Sequence, residues 1–323
     1  EGVLHAEFYE YEYQYAAVVT RTEAYTLPAA LVGHVHSVFN VVDFADMPPG
    51  QNKPIKTTDA SGSGVLEAGY VTPQLINEYN LVFNNTGSAL ASQALYEALN
   101  QSYSPSDLTD FQSYFHLPVE SVAYDVGGHA VDSACVSEAG GNCIEANLDV
   151  QYMMGLSQRT PTTYYYTDAG WIDWLTAVAN MTNPPLVFSV SYAGQETQLA
   201  SEYMQSWDAL KLSAMGITLV TASGDDGVAG YNARYEPEFC GYFPMFPATS
   251  QYVVTVGGTQ GPESNNQPEK VCMGDQGGII TTGGGFSALA GQPDWQTEGV
   301  AAYFTAVQNS EEDGEPAKGY ASG

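Results

Sequence analysis

The chain has 323 residues, 44% of them hydrophobic and 14% charged, which is enough apolar material for a sizeable core and excludes a disordered chain. Lys and Arg total 8 against 37 Asp and Glu, a net charge of -29. That field repels nucleic acid and anionic membranes, so both are excluded as partners, and no apolar run is long enough for a membrane span. Self-repulsion weakens the compact state at neutral pH, and protonation relieves it. The charge therefore predicts an acidic working compartment; an acidic surface that serves solubility is the alternative. The sequence opens at Glu1 with neither Met nor a signal peptide, which predicts a mature or trimmed product.

Residues 6 to 15 read A-E-F-Y-E-Y-E-Y-Q-Y. Tyr9, Tyr11, Tyr13 and Tyr15 share one face and Glu10, Glu12 and Gln14 the other, a period of two that predicts a strand. Leu27-Pro28 opens a predicted helix to about Phe39, with Pro in its first turn. From residue 47 to 64 Pro, Gly, Ser and Thr dominate, and two of the rare lysines, Lys53 and Lys56, sit there. This predicts an exposed linker of the kind that proteases cut, and a domain boundary. Beyond it strands and helices alternate. Leu186 to Tyr192, Ile217 to Ala222 and Tyr252 to Val256 are predicted strands. Residues 198 to 214 carry a helical stripe of Leu199, Tyr203, Trp207, Leu210 and Ala214. The alternation predicts an α/β fold, a parallel sheet covered by helices.

Four cysteines, Cys135, Cys143, Cys240 and Cys272, allow three pairings. The local one joins Cys135 to Cys143 and Cys240 to Cys272. A zinc site does not suit their spacing, because the histidines lie elsewhere. Sequons occur at Asn84, Asn100 and Asn180. With the cysteines and the acidic charge they favour a secreted or extracellular, or a lysosomal or vacuolar, protein.

Three segments carry chemistry. In C-I-E-A-N-L-D-V-Q-Y-M-M, residues 143 to 154, Ile144, Leu148, Met153 and Met154 predict a helix. Glu145 and Asp149 are one turn apart, so both carboxylates leave the same face. Partly buried, such a pair shares a proton, and the weaker acid serves as a general base where His is already protonated. An acidic first turn favoured by the helix dipole explains the same spacing. The second segment, Thr221 to Gly227, follows a predicted strand. A carboxyl there, kept protonated, donates a hydrogen bond to an oxyanion; an Asp-Gly turn and a calcium loop are the alternatives. The third comprises two Gly-rich turns, Gly257-Gly258-Thr259 and Gly283-Gly284-Gly285-Phe286-Ser287. Neither fits a P-loop or a dinucleotide fingerprint, and both suit a close backbone approach or a plain surface turn. All five histidines precede residue 130, and no G-x-S-x-G elbow accompanies them, which argues against a Ser-His-Asp site.

Glu145-x-x-x-Asp149, Ser223-Gly224-Asp225, F-P-M-F-P-A-T-S-Q-Y-V-V-T-V-G-G-T (243 to 259) and T-G-G-G-F-S (282 to 287) resemble, in order and spacing, the sedolisins, or serine-carboxyl peptidases. The tripeptidyl-peptidase I-like subgroup is the nearest. The resemblance implies a subtilisin-like parallel sheet flanked by helices over residues 71–323. It also implies the C-terminal part of an α+β propeptide domain over 1–46 and a linker with an activation site over 47–70. It makes Glu145 the general base, Asp149 its support and Asp225 the oxyanion acid. Ser191, Tyr192, Ala193 and Gly284 fall on segments that bind the substrate backbone; the family usually has Gly where Ala193 stands. The implied partners are a peptide or protein substrate and the chain's own propeptide. The family's nucleophile, in a Ser-Gly-Thr-Ser-type motif, and its calcium loop both follow G-G-G-F-S, and neither is among the 323 residues. The resemblance thus implies a remainder, such as a second polypeptide carrying the C-terminal part. The alternative is a catalytically inactive homologue with an extracellular structural or binding role.

Overall fold

The alternating Tyr-Glu run forms β1 (Tyr9–Tyr13), paired antiparallel with β2 (Ala17–Arg21). The computed structural model describes residues 6–13, 17–22, 26–31, 73, 76, 87–88, 90–135, 142–196, 207, 212–234, 236, 238, 240–261, 268–309, 311–312 and 315–316. In place of the helix expected from Leu27, the described residues 29–31 form a turn, in which the Leu31 amide donates to the Pro28 carbonyl at 2.8 Å. The segment from there to Phe39, the linker, Asn84 and most of 198–214 lie outside the described residues.

The main sheet contains β3 (Gln93–Glu97), β4 (Tyr124–Val126), β5 (Thr162–Tyr166), β6 (Val187–Val190), β8 (Thr218–Ala222) and β10 (Val254–Val256). Its spatial order is β10-β8-β6-β3-β5-β4, and every pair is parallel. β7 (Gly194–Gln195) and β9 (Met245–Phe246) form a separate antiparallel pair beyond the ends of β6 and β8. This is the α/β, subtilisin-like arrangement expected from the alternation of elements.

Helices cover both faces, as parallel strands require. α1 (Pro105–Tyr114) starts where the Ser104 hydroxyl accepts the Asp107 amide at 3.1 Å, with Pro105 in its first turn. α2 (Ile144–Leu156) carries the paired carboxylates, and α3 (Trp171–Ala179) follows β5. Strand periodicity sorts the core. Ala94 and Tyr96 of β3 join Phe188, Val190, Trp174 and Val178 on one face. Leu95 joins Tyr164, Leu108, Ala146 and Val150 on the other. Tyr96 packs against Trp174 with centroids 4.5 Å apart. Among the described residues no helix is long and apolar enough to cross a membrane.

Cys135 and Cys143 are bridged, which ties the start of α2 to the preceding loop. The second expected bridge is not made. Cys240 is an exposed thiol, whereas Cys272 is buried with its Sγ 3.4 Å from the Ile280 carbonyl oxygen. One sulfur faces solvent and the other the interior, so they do not meet. Asn100 and Asn180 are both exposed.

Candidate active site

Parallel strand order brings the carboxyl ends of β3, β6 and β8 side by side. Glu97 is the last residue of β3, Ser191 follows β6, and Asp225 lies in the loop after β8. Such ends line the crevice of an open α/β sheet. Alternation along β3 sends Gln93, Leu95 and Glu97 toward the face covered by α2. α2 meets them with Glu145 and Asp149, one turn apart, and buries Glu145, Ala146, Val150 and Met154.

The side chains form one hydrogen-bonded cluster. Ser191 donates from Oγ to Asp149 Oδ2 at 2.7 Å. The Tyr192 hydroxyl donates to Glu97 Oε2 at 2.7 Å, and Glu97 has no exposed surface. Glu97 also meets the Asp149 carboxyl, which joins the two bonds into one cluster. A buried carboxyl group beside another is disfavoured in its charged form.

The electrostatics follow from that geometry. Burial pushes the Glu145 carboxyl up, the charges of Asp149 and Asp225 push it further, and the Ser191 hydroxyl opposes them. Burial also raises Asp149, against the stabilising Ser191 hydrogen bond. Glu97 is held well above the usual carboxylate range, first by burial and then by the Asp149 charge. Like charges this close in a low dielectric do not all ionise, so the cluster retains protons.

Asp225 is positioned through its backbone. The Thr281 amide donates to the Asp225 carbonyl and the Gly283 amide to the Gly224 carbonyl, each at 2.8 Å. Gly224 has φ 100, a left-handed conformation that favours glycine. At Gly283 a Cβ would fall 1.7 Å from the Ser223 carbonyl oxygen, whereas at Gly284 it would meet nothing within 4 Å. The first glycine of the turn is required by close packing, and the second borders open space. We expect Gly283→Ala to destabilise the fold by about 1–3 kcal/mol and Gly284→Ala to leave it within about 0.5 kcal/mol, both read by thermal unfolding.

Of the residues singled out from sequence, Glu145, Asp149, Asp225 and Ser191 meet in one place. Tyr192 is 2% exposed and turns its hydroxyl inward to Glu97. Only its backbone remains for a ligand. Ala193 is half-buried at the entry to β7. Glu97 was not anticipated; the signal for it is an acidic residue closing a strand whose every residue is buried, which shows only once the strand is placed. A Ser-His contact does exist, Ser102 Oγ to His129 Nδ1 at 2.9 Å, but Ser102 is buried and the imidazole stacks on Tyr166. A buried hydroxyl is no accessible nucleophile. Among the described residues no group of three or more His, Cys, Asp or Glu is arranged to hold a metal ion.

No family model matches the chain. Tripeptidyl-peptidase 1 of Macaca fascicularis is 32% identical over 307 residues, 90% of this chain and 50% of that protein. The Canis lupus familiaris protein of the same name is 33% identical over the same shares. The chain therefore spans about half the length of the curated relatives it matches. Among solved structures, Pseudomonas sedolisin, a serine-carboxyl proteinase complexed with pseudo-iodotyrostatin, superposes with a TM-score of 0.55 at 22% identity, over 71% of this chain and 66% of that one. The chain is thus a homologue of tripeptidyl-peptidase 1 with the fold of sedolisin, a serine-carboxyl peptidase.

Proposed function

We propose that the complete protein is a serine-carboxyl peptidase that hydrolyses peptide bonds in acid, with Glu145 as general base. The carrying observation is the meeting of Glu145, Asp149, Ser191 and Glu97 beside adjacent strand ends, with Asp225 near enough to act electrostatically on Glu145. In this reading a serine contributed outside these 323 residues attacks the scissile carbonyl. In the working form the Glu145–Asp149 pair holds a single proton and Glu145 is the ionised member. It takes the serine's proton and becomes neutral as the negative charge passes to the oxyanion, and Asp149 supports it. Asp225, carrying its own proton, donates a hydrogen bond to the oxyanion. Glu145 then returns its proton to the leaving amine as the C–N bond breaks, which leaves an acyl-serine. Water attacks that ester with Glu145 again taking the proton, and release of the carboxyl product restores the serine.

The peptide backbone would lie along Ser191, Tyr192 and Ala193 on one side and Gly284 on the other. We read residues 1–46 as the end of a propeptide domain released by cleavage within 47–70. An acidic setting, lysosomal or secreted, fits both the buried carboxylates and the net charge of -29. Calcium has no part in any step assigned to these residues.

The test is the pH-rate profile of the complete protein on an internally quenched peptide. We expect turnover in acid that falls as pH rises, because the oxyanion donor must hold a proton. Full activity at pH 8 would exclude this mechanism, and no turnover at any pH would favour the inactive homologue.

A further inference from the structure

Glu196 is a second buried carboxyl group, outside the cluster around Glu145. It has no exposed surface, and both of its oxygens are engaged. Ser287 donates from Oγ to Oε1, and the Ala288 amide donates to Oε2 at 2.7 Å. The Glu196 amide in turn donates to the Pro244 carbonyl at 2.9 Å, next to the β7–β9 pair. This residue therefore fastens three chain segments at one point: the stretch after Ser191-Tyr192-Ala193, the stretch before Met245, and the end of the Gly-rich turn.

The other end of that turn is fastened elsewhere. The Gly283 amide bonds to Gly224 and the Thr281 amide to Asp225. Between the anchors Gly284 borders open space, and Gly285 has φ 102. Tyr242 braces the span, because its hydroxyl lies 2.9 Å from the Phe286 carbonyl oxygen and 2.6 Å from the Phe286 amide. The turn is thus a bridge with one foot on the Asp225 loop and the other on Glu196.

We infer that Glu196 is a positioning residue that sets the distance between the 191–193 segment and the Gly284 turn, and so the width of the peptide groove. This rests on the peptidase reading above. Fixing both walls before the peptide arrives spares the ordering cost of binding. A loosened wall then weakens binding of substrate and transition state together, which raises KM and leaves kcat in place.

The test uses the complete protein and an internally quenched hexapeptide. Ser287→Ala removes the bond to Glu196 and the two that Ser287 Oγ accepts, from the Leu289 amide at 3.2 Å and the Ala290 amide at 2.7 Å, and leaves Glu196 held by the Ala288 amide. We expect KM to rise about tenfold with kcat within about twofold, as the anchor of that wall loosens. Ser287→Thr, which keeps the hydroxyl, restores KM. Glu196→Gln, which keeps the shape but gives up one acceptor oxygen, follows Ser287→Ala. The Kd of the same peptide, measured by titration calorimetry, moves with KM, and this arm still reads if the wild type hydrolyses nothing. An unchanged KM and Kd in folded Ser287→Ala protein, or an equal fall in kcat and kcat/KM, overturns the inference and leaves the peptidase reading standing. Wild-type protein that neither cleaves nor binds the peptide overturns both.

Discussion

In the complete protein, Glu145→Gln is expected to lower kcat by about 10³-fold while KM stays within about threefold. The amide has the size of the carboxyl group but no basic oxygen, so it cannot take the proton of an attacking hydroxyl. The fold should not suffer. Glu145 is buried beside Asp149, and an uncharged amide of the same size avoids the desolvation and repulsion that ionising the carboxyl would cost. The variant should therefore melt at the wild-type temperature or above it. That combination separates a catalytic role from the plainer possibility of an acidic first turn, for which the substitution would leave kcat unchanged. Single-turnover kinetics alongside thermal unfolding decide the matter.

The second large effect concerns stability. Glu97, Asp149 and Glu145 all have raised pKa values in the folded chain, with burial the first cause in each. The folded chain thus holds protons that the unfolded chain releases. Their contribution is fully present below the unfolded value and is lost as pH rises through the folded values. Stability should therefore be highest in acid and should fall from about pH 4 toward pH 8, by a few kcal/mol if the three act together. The overall charge of -29 works in the same direction, so a sloping profile alone does not identify the cluster. Glu97→Gln does. It removes one buried titrating group and changes the net charge by a single unit. The slope between pH 5 and 8 should flatten, and the variant should be more stable than the wild type at pH 8. A slope equal to that of the wild type would assign the whole effect to the surface field. Denaturant unfolding at a series of pH values measures it.

Much of the site was legible because its carriers have strong local signatures. The 143–154 segment has helical spacing, and a helix places residues four apart on one face whatever surrounds it, so Glu145 and Asp149 were bound to emerge together. The β8 run and the Gly-Asp loop after it also announce themselves, since a buried parallel strand is a short apolar run closed by a turn. The resemblance to a family added roles that spacing does not carry.

Glu97 shows where that legibility stops. Q-A-L-Y-E-A-L is built largely from good helix formers, and nothing local marks it as the inner strand between β5 and β6. Its neighbours make it a strand, because pairing on both edges satisfies its backbone and the helices on both faces bury its side chains. The 240–272 bridge failed for a related reason, as proximity along the chain does not say which way a sulfur faces. The sequence by itself determined the α/β class, the paired carboxylates of α2 and the Asp225 loop, all of which are written in periods of a few residues. The tertiary structure alone decided that Glu97, Ser191 and Asp225 meet that pair, and that Glu196 holds the Gly-rich turn. Those contacts join residues some 40 to 95 positions apart, and only strand order fixes them.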